Sequence, residues 1–303
     1  MDNRKYNGKI ILFGEYSMIS GSSALLIPYY SASGEWSSII NRPCEKGIES
    51  NSNLFKYFNY LIDDHKFRIL DLRRMEMELN AGLYFDSSIP SGYGVGSSGA
   101  LVAAIYDRYK LIEINDTNKL IDFLASMESY FHGSSSGIDP LQCYFGKPFI
   151  LNGQQTTDNG QQLLSDDFMS DDIHIFLIDT KIKSPTAPLV KKFKELRKDN
   201  TYLERFNNEY IPLVSNCISS LIEKDNDTFF YNLSLLSKMQ TKMLGHTIPE
   251  IVREFFFFDV KVNGFQVKLC GAGGGGYLLG FSNDIEKTNK YWENTEYKIL
   301  WVK

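Results

Sequence analysis

A segment rich in glycine and serine, Pro90 to Ala100, is the part of the sequence best suited to hold a charged ligand. Its three glycines at alternate positions free the backbone for unusual dihedral angles and for close approach to a ligand. Ser97 and Ser98 then open a run of small residues that predicts a helix. The N–H groups at the start of that helix would surround an anion, and the Ser98 hydroxyl could reach a metal. Read alone, the segment is equally compatible with a tight turn and a serine N-cap.

Known phosphate-binding loops of other classes fit this segment poorly. A Walker A loop is excluded because no Gly-Lys-Ser or Gly-Lys-Thr follows the glycines, and the dinucleotide-binding interpretation lacks a suitable acidic residue downstream.

Two carboxylates, Glu128 and Asp139, lie at either end of a segment that includes His132-Gly-Ser-Ser-Ser-Gly-Ile. Asp139 is predicted in a glycine-flanked turn, and Glu128 one turn before the end of the preceding helix. Both could face one cleft. Two carboxylates with separate tasks suit phosphoryl transfer, in which one holds Mg²⁺ and the other accepts the hydroxyl proton. Taken alone, Asp139 could be a helix-cap or turn residue, and His132 is interpreted as structural, closing the helix.

Two further segments could take part in the same chemistry. Gly271 to Gly276 hold five glycines in six residues, more than hairpin geometry needs, so their backbone is interpreted as lying against a ligand or another loop. Lys9 stands at the start of the first strand-like run, six residues before Glu15. A lysine near Asp139 would keep that carboxylate ionised and attract phosphate. Read alone, Lys9 is a solvated edge-strand residue and Glu15 a loop charge.

The composition limits the classes of protein and partner. The chain has 303 residues, 43% of them hydrophobic and 23% charged, which predicts a soluble globular protein of one large or two medium domains. A net charge of −5 argues against nucleic acid or an anionic membrane as partner. The four cysteines are widely spaced, which argues against zinc clusters and disulfides. With neither a signal peptide nor a membrane span, the protein is predicted to be cytoplasmic. The oligomeric state stays open, with a homodimer among the alternatives.

The elements that must position these residues follow from hydrophobic periodicity. Strands are predicted at Lys9–Phe13, Ala24–Ile27 and Met75–Leu79, and helices at Gly99–Tyr109 and Lys119–Phe131. The polar segment Gln154–Asp172 predicts a domain connection. Beyond it, helices are predicted at Ala187–Arg197, Tyr202–Glu223, Asp227–Leu244 and Pro249–Phe258, and strands at Ile173–Asp179, Gln266–Leu269, Tyr277–Phe281 and Tyr297–Val302. Segregated runs of strands and helices indicate the α+β class.

Together these segments resemble the GHMP kinases, and within them the mevalonate kinases. Lys9-Ile-Ile-Leu-Phe-Gly-Glu15 is similar to the first motif of the family, Pro90 to Ala100 to its phosphate loop, and Lys268 to Gly276 to its third motif. The segment His132-Gly-x-x-Ser-Gly-Ile-Asp139 resembles the stretch that carries the catalytic Asp of mevalonate kinases. All four occur in the family's order. Tyr84 to Ala100 is similar to the corresponding stretch of compact bacterial mevalonate kinases.

The resemblance implies a role for each matching residue. Asp139 would accept the proton of the substrate hydroxyl, and Lys9 would keep that carboxylate ionised and contact the transferring phosphate. Ser98 and Glu128 would bind Mg²⁺. The residues that would surround the ATP phosphates are Ser87, Gly92, Tyr93, Gly94, Val95, Gly96, Ser97 and Ser98. Those that would lie near the transferring phosphate or the acceptor are Glu15, Tyr16, Thr180, Thr186, Gly271, Ala272 and Gly273.

The resemblance also implies a fold and a reaction. The fold is α+β, with a ribosomal protein S5 domain 2-like N-terminal domain at residues 1–155, a ferredoxin-like C-terminal domain at residues 156–303, and the site between them. The reaction is transfer of the γ-phosphoryl group of ATP to (R)-mevalonate, giving 5-phosphomevalonate for isoprenoid biosynthesis.

Three departures from the family pattern affect the identity of the acceptor. Tyr16 stands where many mevalonate kinases have His, Pro140 where Asn is usual after the catalytic Asp, and Gly99 where the loop has Ala. A phosphomevalonate kinase or a sugar kinase of the same superfamily is therefore the first alternative. A catalytically inactive binding or regulatory protein of this fold is the second.

Overall fold

The computed structural model describes residues 4–40, 44–152, 161–184 and 186–302. Two compact units can be distinguished within the chain. The first unit comprises Met1–Lys9, Pro28–Ser91 and Val95–Gly146, and the second comprises Ile10–Ile27, Gly92–Gly94 and Lys147–Lys303. The predicted domain boundary at residues 155 and 156 lies outside the described residues and stays a prediction.

In its described part, the first unit combines strands with five α-helices. Strand β1 (Tyr6–Phe13) begins in this unit and ends in the second, whereas β2 (Ala24–Ser38) begins in the second unit and ends in this one. Its other elements are α1 (Glu45–Ile62), α2 (Leu72–Asn80), β3 (Leu83–Ser87), α3 (Ser97–Tyr109), α4 (Thr117–His132) and α5 (Ile138–Phe145). The end of β2 pairs antiparallel with β3, from Gly34 opposite Ser87 to Ser38 opposite Leu83. The predicted strand Lys9–Phe13 and the predicted helices in α3 and α4 are confirmed.

Helix α3 forms the centre of the first unit. Its residues from Val102 to Tyr106 are completely buried, and they include two alanines that let other elements approach closely. At Gly99 the approach is closer still, since a Cβ atom there would lie 2.8 Å from the backbone carbonyl carbon of Asp139. Glycine at this position therefore allows α5, which carries Asp139, to pack directly on α3.

The predicted strand Met75–Leu79 is wrong, because these residues belong to helix α2. Met75 and Leu79 are buried and Met77 is 72% exposed. Positions four apart share one face of a helix, so the apolar residues fit a helix face even though they alternate with acidic ones. Asp71 caps this helix by accepting a hydrogen bond from the backbone N–H of Arg74 at 3.0 Å.

The second unit contains a four-stranded antiparallel sheet flanked by helices. Its elements are β4 (Phe149–Leu151), β5 (Gln161–Leu163), β6 (His174–Asp179), α6 (Thr186–Leu196), α7 (Asn200–Arg205), α8 (Ile211–Ile222), α9 (Asn226–Met243), α10 (Val260–Asn263), β7 (Phe265–Leu269), β8 (Tyr277–Ser282), α11 (Ile285–Trp292) and β9 (Lys298–Trp301). The sheet has the strand order β7-β8-β6-β9. This arrangement confirms the predicted strands of the second half of the chain.

Some boundaries in the second unit differ from the prediction. The helix predicted at Tyr202–Glu223 is interrupted by a π-helical segment, Phe206–Tyr210, between α7 and α8. The helix predicted at Pro249–Phe258 is a 3₁₀ segment, Glu250–Phe257. The segment predicted as a domain connection contains β5, which pairs with β4. No helix in the described ranges has both the length and the hydrophobicity needed to cross a membrane.

Candidate active site

A buried ion pair joins Lys9 and Asp139 in the first unit. Lys9 Nζ lies 2.9 Å from Asp139 Oδ1. The lysine side chain is 3% exposed, whereas the aspartate is 31% exposed. A buried ammonium group is costly unless it is paired, so the geometry holds the Asp139 carboxylate in place while leaving part of it accessible. Burial excludes the alternative in which Lys9 is a solvated edge-strand residue.

Asp139 is the second residue of helix α5, and the prediction of a turn at this position is wrong. Gly137 precedes the helix in a left-handed conformation with φ 73°, and a Cβ there would lie 2.2 Å from the Ile121 carbonyl oxygen. Pro140 is the third residue of the helix, where the missing N–H needs no partner within the helix. Proline after Asp139 is therefore compatible with a helix that begins immediately before the carboxylate.

Ser98 and Glu128 form the second pair of the site. The Ser98 hydroxyl donates to Glu128 Oε1 at 2.9 Å, and the Ser135 hydroxyl donates to Glu128 Oε2 at 2.5 Å. Burial raises the pKa of the Glu128 carboxyl to about 7, and the negative charge of Asp139 acts in the same direction. The structure thus concentrates negative charge at a buried position where a cation would be stabilised.

The donor atoms at Ser98 and Glu128 fit a magnesium ion. Mg²⁺ prefers oxygen ligands, and in phosphoryl-transfer sites it is usually held by one or two carboxylates together with substrate phosphates and water. In the described part of the chain, no group of three or more His, Cys, Asp or Glu side chains could form a metal site without phosphate. One carboxylate and one hydroxyl are therefore a donor set suited to Mg²⁺ bound together with a nucleotide.

The start of helix α3 lies directly beside Lys9. The Lys9 backbone N–H donates to the Val95 carbonyl oxygen at 2.9 Å. Gly96, with φ 81°, precedes the helix, and a Cβ atom there would lie 2.7 Å from Lys9 Cγ. The first N–H groups of an α-helix have no partner within the helix. Those at Ser97 and Ser98 are thus placed at the same end of α3 as the Lys9 side chain.

His132 belongs to this group of residues, although its position in the sequence indicated only a structural role. Its Nε2 atom lies 3.1 Å from Ser98 Oγ, and Gly133, with φ 72°, is the residue that closes helix α4. The signal was present in the sequence, since His132 follows Glu128 by four residues and therefore shares its helix face.

A cavity of about 410 Å³ in the first unit was also missed. It is lined by residues of α1, β3, α3 and α4, among them Ser87 and Ser97. Tyr130 and Phe131 contribute aromatic rings and are 38% and 37% exposed. A cavity of this size with accessible rings suits a planar, partly apolar ligand.

In the second unit, Glu15 and Tyr16 are held at the end of β1. Glu15 forms a fully buried ion pair with Lys268. Tyr16 has φ 62°, and the Ser17 N–H donates to the Glu15 carbonyl oxygen at 2.7 Å, which forms a γ-turn around Tyr16. The Tyr16 hydroxyl donates to the Ala272 carbonyl oxygen at 2.7 Å. An ion pair and a hydrogen bond thus connect Glu15 and Tyr16 to the third motif.

Two other predicted residues of the second unit, Thr180 and Tyr93, lie against the glycine cluster Gly271 to Gly276. The buried Thr180 hydroxyl donates to the Gly276 carbonyl oxygen at 2.7 Å, and a Cβ on Gly276 would lie 2.9 Å from Tyr93 Cα. Thr186 is the exposed first residue of α6. That Glu15, Tyr16 and the residues near the glycine cluster contact the acceptor stays a prediction.

Known proteins share sequence and fold with this chain. Residues 59–147 match the family GHMP kinases N terminal domain. The chain is 25% identical to a mevalonate kinase of Archaeoglobus fulgidus over 289 residues, which cover 90% of this chain and 89% of that protein.

Two solved structures have the same fold along nearly their whole length. The L. major mevalonate kinase in complex with R-mevalonate has a TM-score of 0.66 at 14% identity, covering 100% of this chain and 96% of that one. The Streptococcus pneumoniae phosphomevalonate kinase in complex with phosphomevalonate and AMPPNP has a TM-score of 0.67 at 16% identity, covering 99% and 98%. The chain thus has the α+β fold of these structures, and residues 59–147 match the N-terminal domain of the GHMP kinases.

Proposed function

We propose that this chain transfers the γ-phosphoryl group of ATP to the primary hydroxyl of (R)-mevalonate and produces 5-phosphomevalonate. The observation that carries the proposal is the buried Lys9 paired with the partly exposed Asp139, close to the second pair formed by Ser98 and Glu128. The choice of mevalonate is supported by the relative from Archaeoglobus fulgidus, which is named a mevalonate kinase.

Asp139 is the base of the proposed reaction. Lys9 holds Asp139 Oδ1, so that the other carboxylate oxygen can take the proton of the acceptor hydroxyl. That hydroxyl oxygen forms a bond to the γ-phosphorus while the bond from phosphorus to the β–γ bridging oxygen breaks, and ADP leaves. Lys9 and the amides at the start of α3 stabilise the charge on the transferring group. Mg²⁺, held by Ser98 and Glu128, would neutralise charge on the phosphates.

The cavity beside Ser87 and Ser97 is proposed to receive the nucleoside of ATP, with Phe131 stacking on the base. Phe131→Ala is expected to raise the KM for ATP roughly tenfold and to leave kcat within about twofold, since one base–aromatic stack contributes ~1–3 kcal/mol. Steady-state kinetics with ATP varied at saturating acceptor measure this. Phe257→Ala is the matched control, because Phe257 is an exposed phenylalanine of the second unit. An unchanged KM for ATP in Phe131→Ala would contradict this placement.

The acceptor is tested with an ADP-release assay on mevalonate, 5-phosphomevalonate and a panel of sugars. We expect kcat/KM for mevalonate to exceed that for the others at least ~100-fold, because a site built for one polar substrate rejects analogues whose groups it cannot pair. A preference for 5-phosphomevalonate or a sugar would reassign the acceptor. Binding of ATP without ADP release on any acceptor would instead favour an inactive binding or regulatory protein.

A further inference from the structure

We propose that Ser135 is a positioning residue, which holds the Glu128 carboxylate in the orientation that binds the metal and fixes its distance from Asp139. The inference rests on the proposed function, because it assigns Glu128 to Mg²⁺. The segment His132-Gly-x-x-Ser-Gly-Ile-Asp139, on which the family resemblance rests, places no requirement on position 135.

The hydroxyl of Ser135 is held in one orientation by two hydrogen bonds. Its oxygen accepts from the Gly137 backbone N–H at 2.9 Å, and its proton is donated to Glu128 Oε2 at 2.5 Å. A serine hydroxyl has one proton to donate. The amide of Gly137 thus orients the oxygen, and the single proton is directed to Glu128.

The two oxygens of Glu128 have different partners. Oε1 accepts from Ser98, the other proposed metal ligand, and Oε2 accepts from Ser135. A cation held by Ser98 and Oε1 would displace the hydrogen bond between them. The bond from Ser135 to Oε2 can remain. Ser135 is therefore the partner that holds the carboxylate both before and after the metal binds, which is the role of the hydrogen-bonding groups behind metal ligands.

Ser135 also connects Glu128 to the helix that carries the base. Gly137, whose N–H bonds to Ser135, immediately precedes α5, and Asp139 is the second residue of that helix. One hydroxyl thus joins the carboxylate on α4 to the beginning of α5. The separation of the metal-binding carboxylate and the base is fixed through this side chain.

Metal binding, rather than turnover, is the primary test. Binding of Mn²⁺ to the full chain in the presence of AMPPNP can be followed by electron paramagnetic resonance. Ser135→Ala is expected to weaken Mn²⁺ binding at least ~10-fold, the range found when a hydrogen-bond partner of a metal ligand is removed. Ser135→Thr, which keeps the hydroxyl, should restore binding to within about threefold. Ser134→Ala removes an exposed hydroxyl one residue away and should bind like the wild type.

Each outcome bears on a different claim. Equal Mn²⁺ affinities for Ser135→Ala and the wild type, with weaker binding by Glu128→Gln, would overturn the role of Ser135 and leave the proposed function intact. Equal affinities for Glu128→Gln and the wild type would overturn the metal assignment, and this inference with it. If Ser135→Ala does not fold, Ser135→Cys replaces it, because the thiol fills similar space but donates weakly. Wild-type binding by Ser135→Cys would then overturn the proposal.

Discussion

Asp139→Asn is expected to lower kcat at least ~100-fold, because an amide cannot accept the proton of the acceptor hydroxyl and general-base catalysis typically contributes ~10²–10⁴-fold. The KM for ATP should change little, since Asp139 is assigned to the acceptor and not to the nucleotide. The variant also leaves the buried Lys9 opposite a neutral group. Initial rates of ADP release at saturating ATP and mevalonate measure the effect.

Asp107→Asn is the control for this prediction. Asp107 lies in the first unit and also pairs with a lysine, since Lys110 Nζ is 3.1 Å from its Oδ1. Changing the Asp107 carboxylate to an amide should leave kcat within about twofold of the wild-type value, because the pair of Asp107 and Lys110 does not take part in the reaction. Turnover of Asp139→Asn close to that of Asp107→Asn would exclude Asp139 as the base.

Glu128→Gln is expected to raise the Mg²⁺ concentration needed for half-maximal rate at least ~10-fold, because an amide is a weaker and uncharged ligand. Ser98→Ala should act in the same direction. Rates measured across a Mg²⁺ titration at fixed ATP give the comparison. Glu113→Gln changes a carboxylate of the first unit that pairs with Lys110, and it serves as control. An unchanged Mg²⁺ requirement in Glu128→Gln would exclude this ligand.

Glu128→Gln also tests how the raised pKa of Glu128 affects the stability of the metal-free protein. Folding raises the pKa of Glu128 from 4.5 to about 7, so between these pH values the folded state binds more protons than the unfolded state. The contribution of Glu128 to the free energy of unfolding therefore falls as pH rises from 4.5 to about 7, by on the order of 3 kcal/mol. Glu128→Gln lacks this titration. Urea unfolding at pH 4.5 and pH 8 should show the variant gaining stability relative to the wild type at the higher pH.

Hydrophobic periodicity was sufficient to predict the elements that carry long, regular patterns, such as α3, α4 and the strands of the second unit. It failed at Met75–Leu79, since in five residues an alternating pattern also satisfies the spacing of four that a helix face requires. Helix α1 was not predicted because its first half is polar. Its later buried residues are nevertheless at helical spacing: Leu54, Tyr57, Phe58 and Leu61.

The residues of the candidate site were identified from their types and their order, but their environments were not. The sequence allowed Lys9 to be a solvated residue, whereas in the structure its side chain is 3% exposed and packs against Gly96. The cavity near Phe131 is formed by residues of α1, β3, α3 and α4. A pattern within any one of these elements therefore does not predict it. The position of His132 on the same helix face as Glu128 could have been predicted from their spacing of four residues.

The interleaved course of the chain limits how this protein can be divided for expression. A fragment beginning at Lys147 would omit Ile10–Ile27, a stretch of the second unit, and with it residues Ala24 to Leu26 that pair with β4. A fragment ending at Gly146 would instead retain that stretch without its strand partner. Neither unit corresponds to one contiguous gene segment. Truncation at a single position therefore cannot yield either unit in isolation.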